Sequence, residues 1–170
     1  VVMDKSIEKA CVYVKKNGLI TPNLYNNEKT SSYLMWNFGP PLQVYSDFRL
    51  GMAPKHYYRE QIESVTNPVI WREIENKNSI KTIFWDYSED YPFLNNVVND
   101  KNWIPVYLNY KIVVFIKKTP AIRGSNAEFM RASVQKLIDL YKTSGLAYLN
   151  LMPVPEQKHL LTKNFYEISY

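Results

Sequence analysis

The sequence predicts an α/β domain of three layers, a mostly parallel sheet between helices, with an antiparallel hairpin at its C-terminal edge and a helical extension beyond. Three observations carry this. Short strand-like runs at 21–27, 42–46 and 80–86 alternate with segments of helical period. The next two such runs, Trp103 to Leu108 and Lys111 to Lys117, are separated by only Asn109 and Tyr110, so they read as antiparallel neighbours. The chain has 170 residues, 46% hydrophobic and 22% charged, which suits one ordinary domain with a short appendage.

Residues 4–17 read as a helix, with Ile7, Ala10, Cys11 and Val14 on one side and Lys15, Lys16 and Gly18 suiting its C-terminal end. The run TPNLYNN at 21–27 is a short strand with a polar end. Thr30 is the expected N-cap of a helix from Ser31 to Phe38, stopped by Gly39-Pro40-Pro41. LQVYS at 42–46 reads as a buried strand, and 47–56 as the loop at its carboxyl end. Tyr57 to Val65 is helical. Asn67-Pro68 opens a second helix, because proline suits the first helical position. IKTIFWD at 80–86 is the third strand, and Pro92 opens a short helix over Phe93–Asn99. After the hairpin, Pro120 to Gly124 reads as a linker. Ser125 and Glu128 form a capping box for a helix to about Ser144, with Phe129, Val134, Leu137, Ile138 and Tyr141 as its apolar stripe. The organisation is therefore an α/β domain over 1–119 and a helical extension over 120–170.

Charge and cysteine bound the function only loosely. The formal net charge is +5 and the pI about 9.1. The lysines and arginines are spread thinly, which argues against a nucleic-acid partner and is compatible with an anionic membrane surface nearby. The single Cys11 excludes a disulfide within the chain and reads as a small buried hydrophobe. No run approaches the roughly 20 apolar residues of a membrane span. The chain opens at Val1-Val2-Met3, directly ahead of a helix, as a piece of a longer protein would.

Catalytic and cofactor motifs are missing. Five glycines form neither a dinucleotide fingerprint nor a phosphate-binding loop, no nucleophile elbow occurs, and His56 and His159 are the only histidines. No cofactor and no resident metal is expected. The best local constellation is Tyr45-Ser46-Asp47-Phe48-Arg49, followed by His56 and Tyr57, just past the carboxyl end of a strand, where α/β sheets place ligands. Asp47 and Arg49 are the candidate binding pair, with Tyr33, Trp36, Tyr45 and His56 lining the same region. Tyr57 is a fourth aromatic expected around this loop. The plainer reading of Asp47 and Arg49, and the favoured one, is an ion pair that pins the loop and satisfies nearby backbone groups. Asp86, Glu89 and Asp90 form an acidic cluster at the end of the third strand. Asp47 with Asp86 or Asp90 would make a divalent-metal site of the nuclease or phosphoesterase type, and a solvated helix start explains the same residues.

Several segments together are similar to a known family. They are the helix ending in Lys16-Asn17-Gly18, the strand Leu24-Tyr25-Asn26, the stretch Ser32-Tyr33-Leu34-Met35-Trp36, and Val44-Tyr45-Ser46-Asp47-Phe48-Arg49. After the strand at 80–85 come Trp103-Ile104-Pro105-Val106-Tyr107 and Val113-Val114-Phe115. Over residues 5–118 this resembles the soluble C-terminal domain of polytopic GT-C-type membrane proteins, the dolichyl-phosphate-mannose mannosyltransferase-like proteins. In those domains a "G-G-Y-L-x-W" helix, a strand ending in "D-x-R" and a later "W-x-x-V-Y-x-D" occur in this order. Here Ser31-Ser32 replaces the glycine pair, Phe48 the common glycine of the "D-x-R" motif, and Asn109 the frequent Asp. The resemblance implies an extracytoplasmic, membrane-tethered accessory domain without catalytic residues of its own. Its partners would be the membrane-embedded part of the same polypeptide and a glycan or lipid-linked sugar. Leu137, Leu140-Tyr141 and Gly145 resemble the start of a tetratricopeptide-type repeat, which would make the extension a protein-interaction module.

Overall fold

The computed structural model describes residues 4–40, 42–47, 55–119 and 127–144; for 55–58, Glu89 and Ser144 it describes the backbone alone. Along the chain come α1 (Lys5–Lys16), β1 (Asn23–Asn26), α2 (Glu28–Phe38), β2 (Gln43–Val44), α3 (Lys55–Thr66), α4 (Pro68–Lys77) and β3 (Thr82–Asp86). Then follow α5 (Tyr87–Asp90), α6 (Phe93–Val98), β4 (Trp103–Leu108), β5 (Ile112–Lys117) and α7 (Ala127–Ser144). The sheet order is β2-β1-β3-β5-β4. β1 pairs in parallel with β2 and β3, and β5 runs antiparallel to both β3 and β4. Four of the five strands thus point one way, and β5 alone is reversed. The chain is a three-layer α/β domain with an antiparallel edge.

Alternation along the strands sorts the core into two clusters, one on each side of the sheet. Leu24, Phe84, Ile112 and Val114 face α1 and α2, meeting Ile7, Cys11, Val14 and Leu34. Tyr25, Ile83, Trp85, Val113 and Phe115 face the other way, onto Trp71 and Ile74 of α4, Phe93 and Leu94 of α6, and α7. Every residue of β3 is buried, as expected of a strand covered on both sides. Tyr25 centres the larger cluster. Its ring stacks on Trp85 at 5.5 Å and 7° and lies 4.9 Å from Trp71, 5.4 Å from Phe93 and 4.8 Å from Tyr45. Its buried hydroxyl hydrogen-bonds Ser64 Oγ at 2.6 Å.

Several local expectations change. α2 starts at Glu28, not Ser31, with Asn27 rather than Thr30 at the cap. Thr30 lies inside the first turn, its hydroxyl donating back to the Asn27 carbonyl at 2.8 Å. The hairpin turn is centred on Tyr110-Lys111, one residue later than the spacing suggests. The Asn109 N–H closes it on the Ile112 carbonyl at 2.9 Å, and Asn109 Oδ1 accepts from the Lys111 and Ile112 N–H groups at 2.9 and 2.7 Å. β4 carries a bulge between Pro105 and Tyr107. The extra residue resets the alternation, so Tyr107 joins the α1–α2 side while Trp103 and Leu108 join the other. Pro105, which has no N–H to donate, is tolerated because β4 is an edge strand.

The helix expected as an extension shares the domain's core. Met130, Val134, Leu137, Ile138 and Tyr141 of α7 are all in the larger cluster. Arg131 fastens α7 to the sheet edge by donating to the carbonyls of Val98 and Asp100 and, at 2.6 Å, of Trp103. Phe129, expected in the same stripe, is instead 61% exposed. The capping-box Ser125 and the repeat-like Gly145 lie outside the described residues.

Replacing the central aromatics tests this packing. Trp85→Ala should lower unfolding free energy by about 3–5 kcal/mol. Tyr25→Phe should lower it by about 1–2 kcal/mol, by removing the buried Tyr25–Ser64 hydrogen bond while Ser64 keeps its bond to the Gln61 carbonyl. Urea titration followed by far-UV circular dichroism reads both.

Candidate functional site

The carboxyl ends of β1, β2 and β3 and the β4–β5 turn meet on one rim of the sheet. There the parallel ladders run out, and side-chain amides continue them. Asn26, fully buried, pairs with Ser46 as a strand residue would: Oδ1 accepts the Ser46 N–H at 3.2 Å and Nδ2 donates to the Ser46 carbonyl at 3.1 Å. Asn27 does the same on the other side. Its Nδ2 donates to the Asp86 carbonyl at 2.6 Å and its Oδ1 accepts the Asp86 N–H at 3.2 Å. Gln61 of α3 adds a bond from Nε2 to the Asn26 carbonyl at 2.8 Å. Asn109 extends the belt, with Nδ2 donating to the Ser6 carbonyl of α1 at 3.0 Å and to the Tyr107 hydroxyl at 3.1 Å.

A charged triad lies along the same rim. Asp86 ends β3 with no exposed surface and caps α5: Oδ1 accepts from the Ser88 N–H at 3.0 Å and from the Ser88 hydroxyl at 2.6 Å. Its Oδ2 faces Lys111 Nζ at 3.6 Å, and Lys111 also binds Asp4 Oδ2 at 2.5 Å. Asp4 is the N-cap of α1 and accepts the Ser6 N–H at 2.9 Å. Burial raises the Asp86 carboxyl above the ordinary range, outweighing the Ser88 hydrogen bonds and the charges of Lys111 and Lys29. For Asp4, burial pushes upward as well, but the bonds from Lys111 and Ser6 prevail and hold it below the ordinary range. Burial works against the Lys111 ammonium, and its two carboxylate partners reverse that and raise it.

The predicted site residues divide between the two sides of the sheet. Asp47 is half-buried, immediately after the Ser46 held by Asn26. Tyr45 is half-buried against Tyr25, and its hydroxyl donates to Glu60 Oε2 at 3.2 Å. Tyr33 packs with the opposite cluster, and its hydroxyl accepts the Asp4 N–H at 2.7 Å. Tyr33 and Tyr45 therefore do not gather around one loop, because the sheet runs between them. Trp36 is 84% exposed on α2. Arg49 and the side chains of His56 and Tyr57 lie outside the described residues. Of the acidic cluster, Asp86 is buried in the triad, and the Asp90 carbonyl accepts from Trp85 Nε1 at 3.1 Å.

Among the described residues, no group of three or more His, Cys, Asp or Glu side chains is placed to hold a metal ion. The cation beside Asp86 is an ammonium. Cys11 is fully buried, and burial, helped by the charge of Glu8, raises its thiol to about 12. It is therefore a neutral thiol at physiological pH and no nucleophile. The belt of Asn26, Asn27, Asn109, Asp4 and Lys111 did not stand out in the sequence. Its one signal is polar residues closing otherwise apolar strands. No protein-family model, curated protein or solved structure matches the chain.

Two outcomes follow from this rim. Asn26→Ala leaves both backbone groups of Ser46 without that partner and should cost about 2–4 kcal/mol in urea unfolding. Alkaline pH should also unfold the chain progressively. Cys11 and Tyr141 are both raised to about 12, from 9.0 and 10.0, and burial raises Tyr25 and Tyr87 too. The folded state keeps these protons while the unfolded chain releases them, so stability is full below the unfolded values and falls as pH rises through the window above about 9. Cys11→Ala should remove the part of the decline that begins nearest pH 9, measured as thermal midpoint against pH.

Proposed function

We propose that this chain is a non-catalytic accessory domain of a membrane-embedded, glycosyltransferase-like polypeptide. It stands on the extracytoplasmic side and contacts a lipid-linked sugar or its acceptor. The observation that carries this reading is the use made of the carboxyl rim. Where an α/β sheet offers its ligand site, Asn26, Asn27 and Asn109 make bonds to backbone groups of neighbouring segments, and Asp86 caps α5. Such a rim is suited to holding the Ser46–Asp47 segment in one shape, and the Asp86–Lys111 pairing is suited to fixing β3 against α1. On this reading both are structural. The segment order that resembles GT-C-type C-terminal domains, and the mild basicity of the chain, support a position beside a membrane. Among the described residues no helix is long and apolar enough to cross one, so on this reading the membrane part lies elsewhere in the polypeptide.

The test is fractionation of the full-length natural polypeptide. It should stay with the membrane pellet through an alkaline carbonate wash, and release into the supernatant would overturn the reading. The 170-residue chain alone should show no glycosyl-transfer or hydrolase turnover. Asp47→Ala should lower its melting temperature and speed protease cleavage after Ser46. A turnover by the isolated chain that Asp47→Ala abolishes would overturn the non-catalytic assignment.

A further inference from the structure

The outer surface of the α1–α2 layer has a chemistry that neither the core nor the rim explains. On α1, Lys5, Lys9, Val12 and Lys16 are all exposed and recur at spacings of four, three and four. At 3.6 residues per turn they form one stripe directly opposite the buried Ile7, Ala10, Cys11 and Val14. On α2, Lys29 and Trp36 are exposed two turns apart, on the side away from buried Thr30 and Leu34. The two helices run side by side in the same direction. The start of α1 reaches Tyr33 through the Asp4 N–H, and its end reaches the end of α2, where Lys15 Nζ donates to the Asn37 carbonyl at 3.0 Å. This sets Trp36, next to Asn37, at the same end as Lys16. The large apolar side chains exposed there are Trp36 at 84% and Val12 at 57%.

Charge singles this side out. α1 and α2 carry five lysines against Glu8 and Glu28. The helices α3 and α4, over the opposite side of the sheet, carry four basic and four acidic residues. The exposed Ile62, Val69 and Phe129 lie on that other side, on α3, α4 and α7.

We infer that the α1–α2 layer is a docking surface for an anionic phospholipid bilayer. Its lysines would sit in the headgroup layer and Trp36 would insert at the interface. Lysines are mobile point charges that match a diffuse sheet of headgroups, and each contributes about a fivefold gain in binding near an anionic surface. An indole has an apolar body and one N–H donor, which suits the boundary between headgroups and acyl chains. The same surface fits nucleic acid less well. It has no arginine fork for phosphates and bases, and one aromatic on a helix pair instead of a row of stacking platforms in a groove. The inference deepens the membrane-side reading above by naming the side of the domain that meets the lipid.

Co-sedimentation of the 170-residue chain with vesicles tests it. Binding is expected to phosphatidylcholine vesicles containing about a third phosphatidylserine and not to pure phosphatidylcholine, and half-molar salt should release it, since screening then acts within a few ångströms. Lys5→Glu/Lys9→Glu/Lys16→Glu should weaken binding by more than about 100-fold. Arg59→Glu on α3, where the side chain is 82% exposed, should change it less than about twofold. Circular dichroism confirms that each variant is folded. Trp71, Trp85 and Trp103 are fully buried, so a blue shift on binding, and quenching by brominated lipid, report Trp36 and should vanish in Trp36→Phe. Equal binding to both vesicle types, no binding to either, or the same loss in Arg59→Glu as in the triple variant overturns the inference. So does an RNA oligonucleotide that displaces the chain from vesicles. A chain that ignores vesicles while its full-length polypeptide survives the carbonate wash overturns this surface alone. Vesicle binding by a chain whose parent is released by carbonate overturns the tethered reading alone.

Discussion

The structure depends on a pair of side-chain amides that stand in for peptide groups. A parallel strand four residues long, such as β1, ends before its neighbours are secured. Asn26 and Asn27 reach to either side of it and offer one donor and one acceptor each, to Ser46 beyond β2 and to Asp86 at the end of β3. A side-chain amide has the same hydrogen-bonding groups as the backbone. The two residues therefore close the sheet where the chain turns away into α2. Buried backbone groups left open there would each cost about 1–3 kcal/mol.

Everything on the rim follows from that closure. With β3 held in place, Asp86 is buried deeply enough to cap α5 and draw Lys111 toward it. Lys111 in turn binds the cap of α1. One path of hydrogen bonds and ion pairs thus joins β2, β1, β3, the β4–β5 turn and α1 across more than a hundred residues of sequence. Burial favours the protonated form of Asp86, while Lys111 and Ser88 favour the charged form. Burial outweighs those partners and the carboxyl is raised above its ordinary range, as buried ion pairs often lose more hydration than their partners return.

The layers divide the work. The side of the sheet with α3, α4, α6 and α7 holds the aromatic core around Tyr25, and its α3 and α4 helices balance their charges. The side with α1 and α2 has a smaller core that contains no tryptophan, and outside it a lysine stripe and an exposed indole. An aromatic content of 15% therefore has two meanings. Trp71, Trp85 and Trp103 are packing, and Trp36 is surface chemistry.

The sequence by itself determined the fold class. Hydrophobic periodicity separates helix from strand locally, and a hairpin two residues across can only be antiparallel. It also determined most element positions, because Pro68, Gly18 and the Gly39-Pro40 stop act on their immediate neighbours. Only the tertiary structure decided what those elements do together. No local signal tells that β5 inserts between β3 and β4, that a bulge after Pro105 turns Tyr107 to the other side, or that α7 belongs to the core. These outcomes depend on which apolar surfaces meet. Of the candidate site, the rim was legible as a place, since strand ends can be counted. Its members were not, because Asn26, Asn27 and Lys111 look like ordinary polar residues at strand ends until pairing brings distant backbone groups within reach. Tyr33 and Tyr45, twelve residues apart, looked like neighbours. The sheet separates them, because which side a side chain faces is fixed by pairing with strands far away in the sequence.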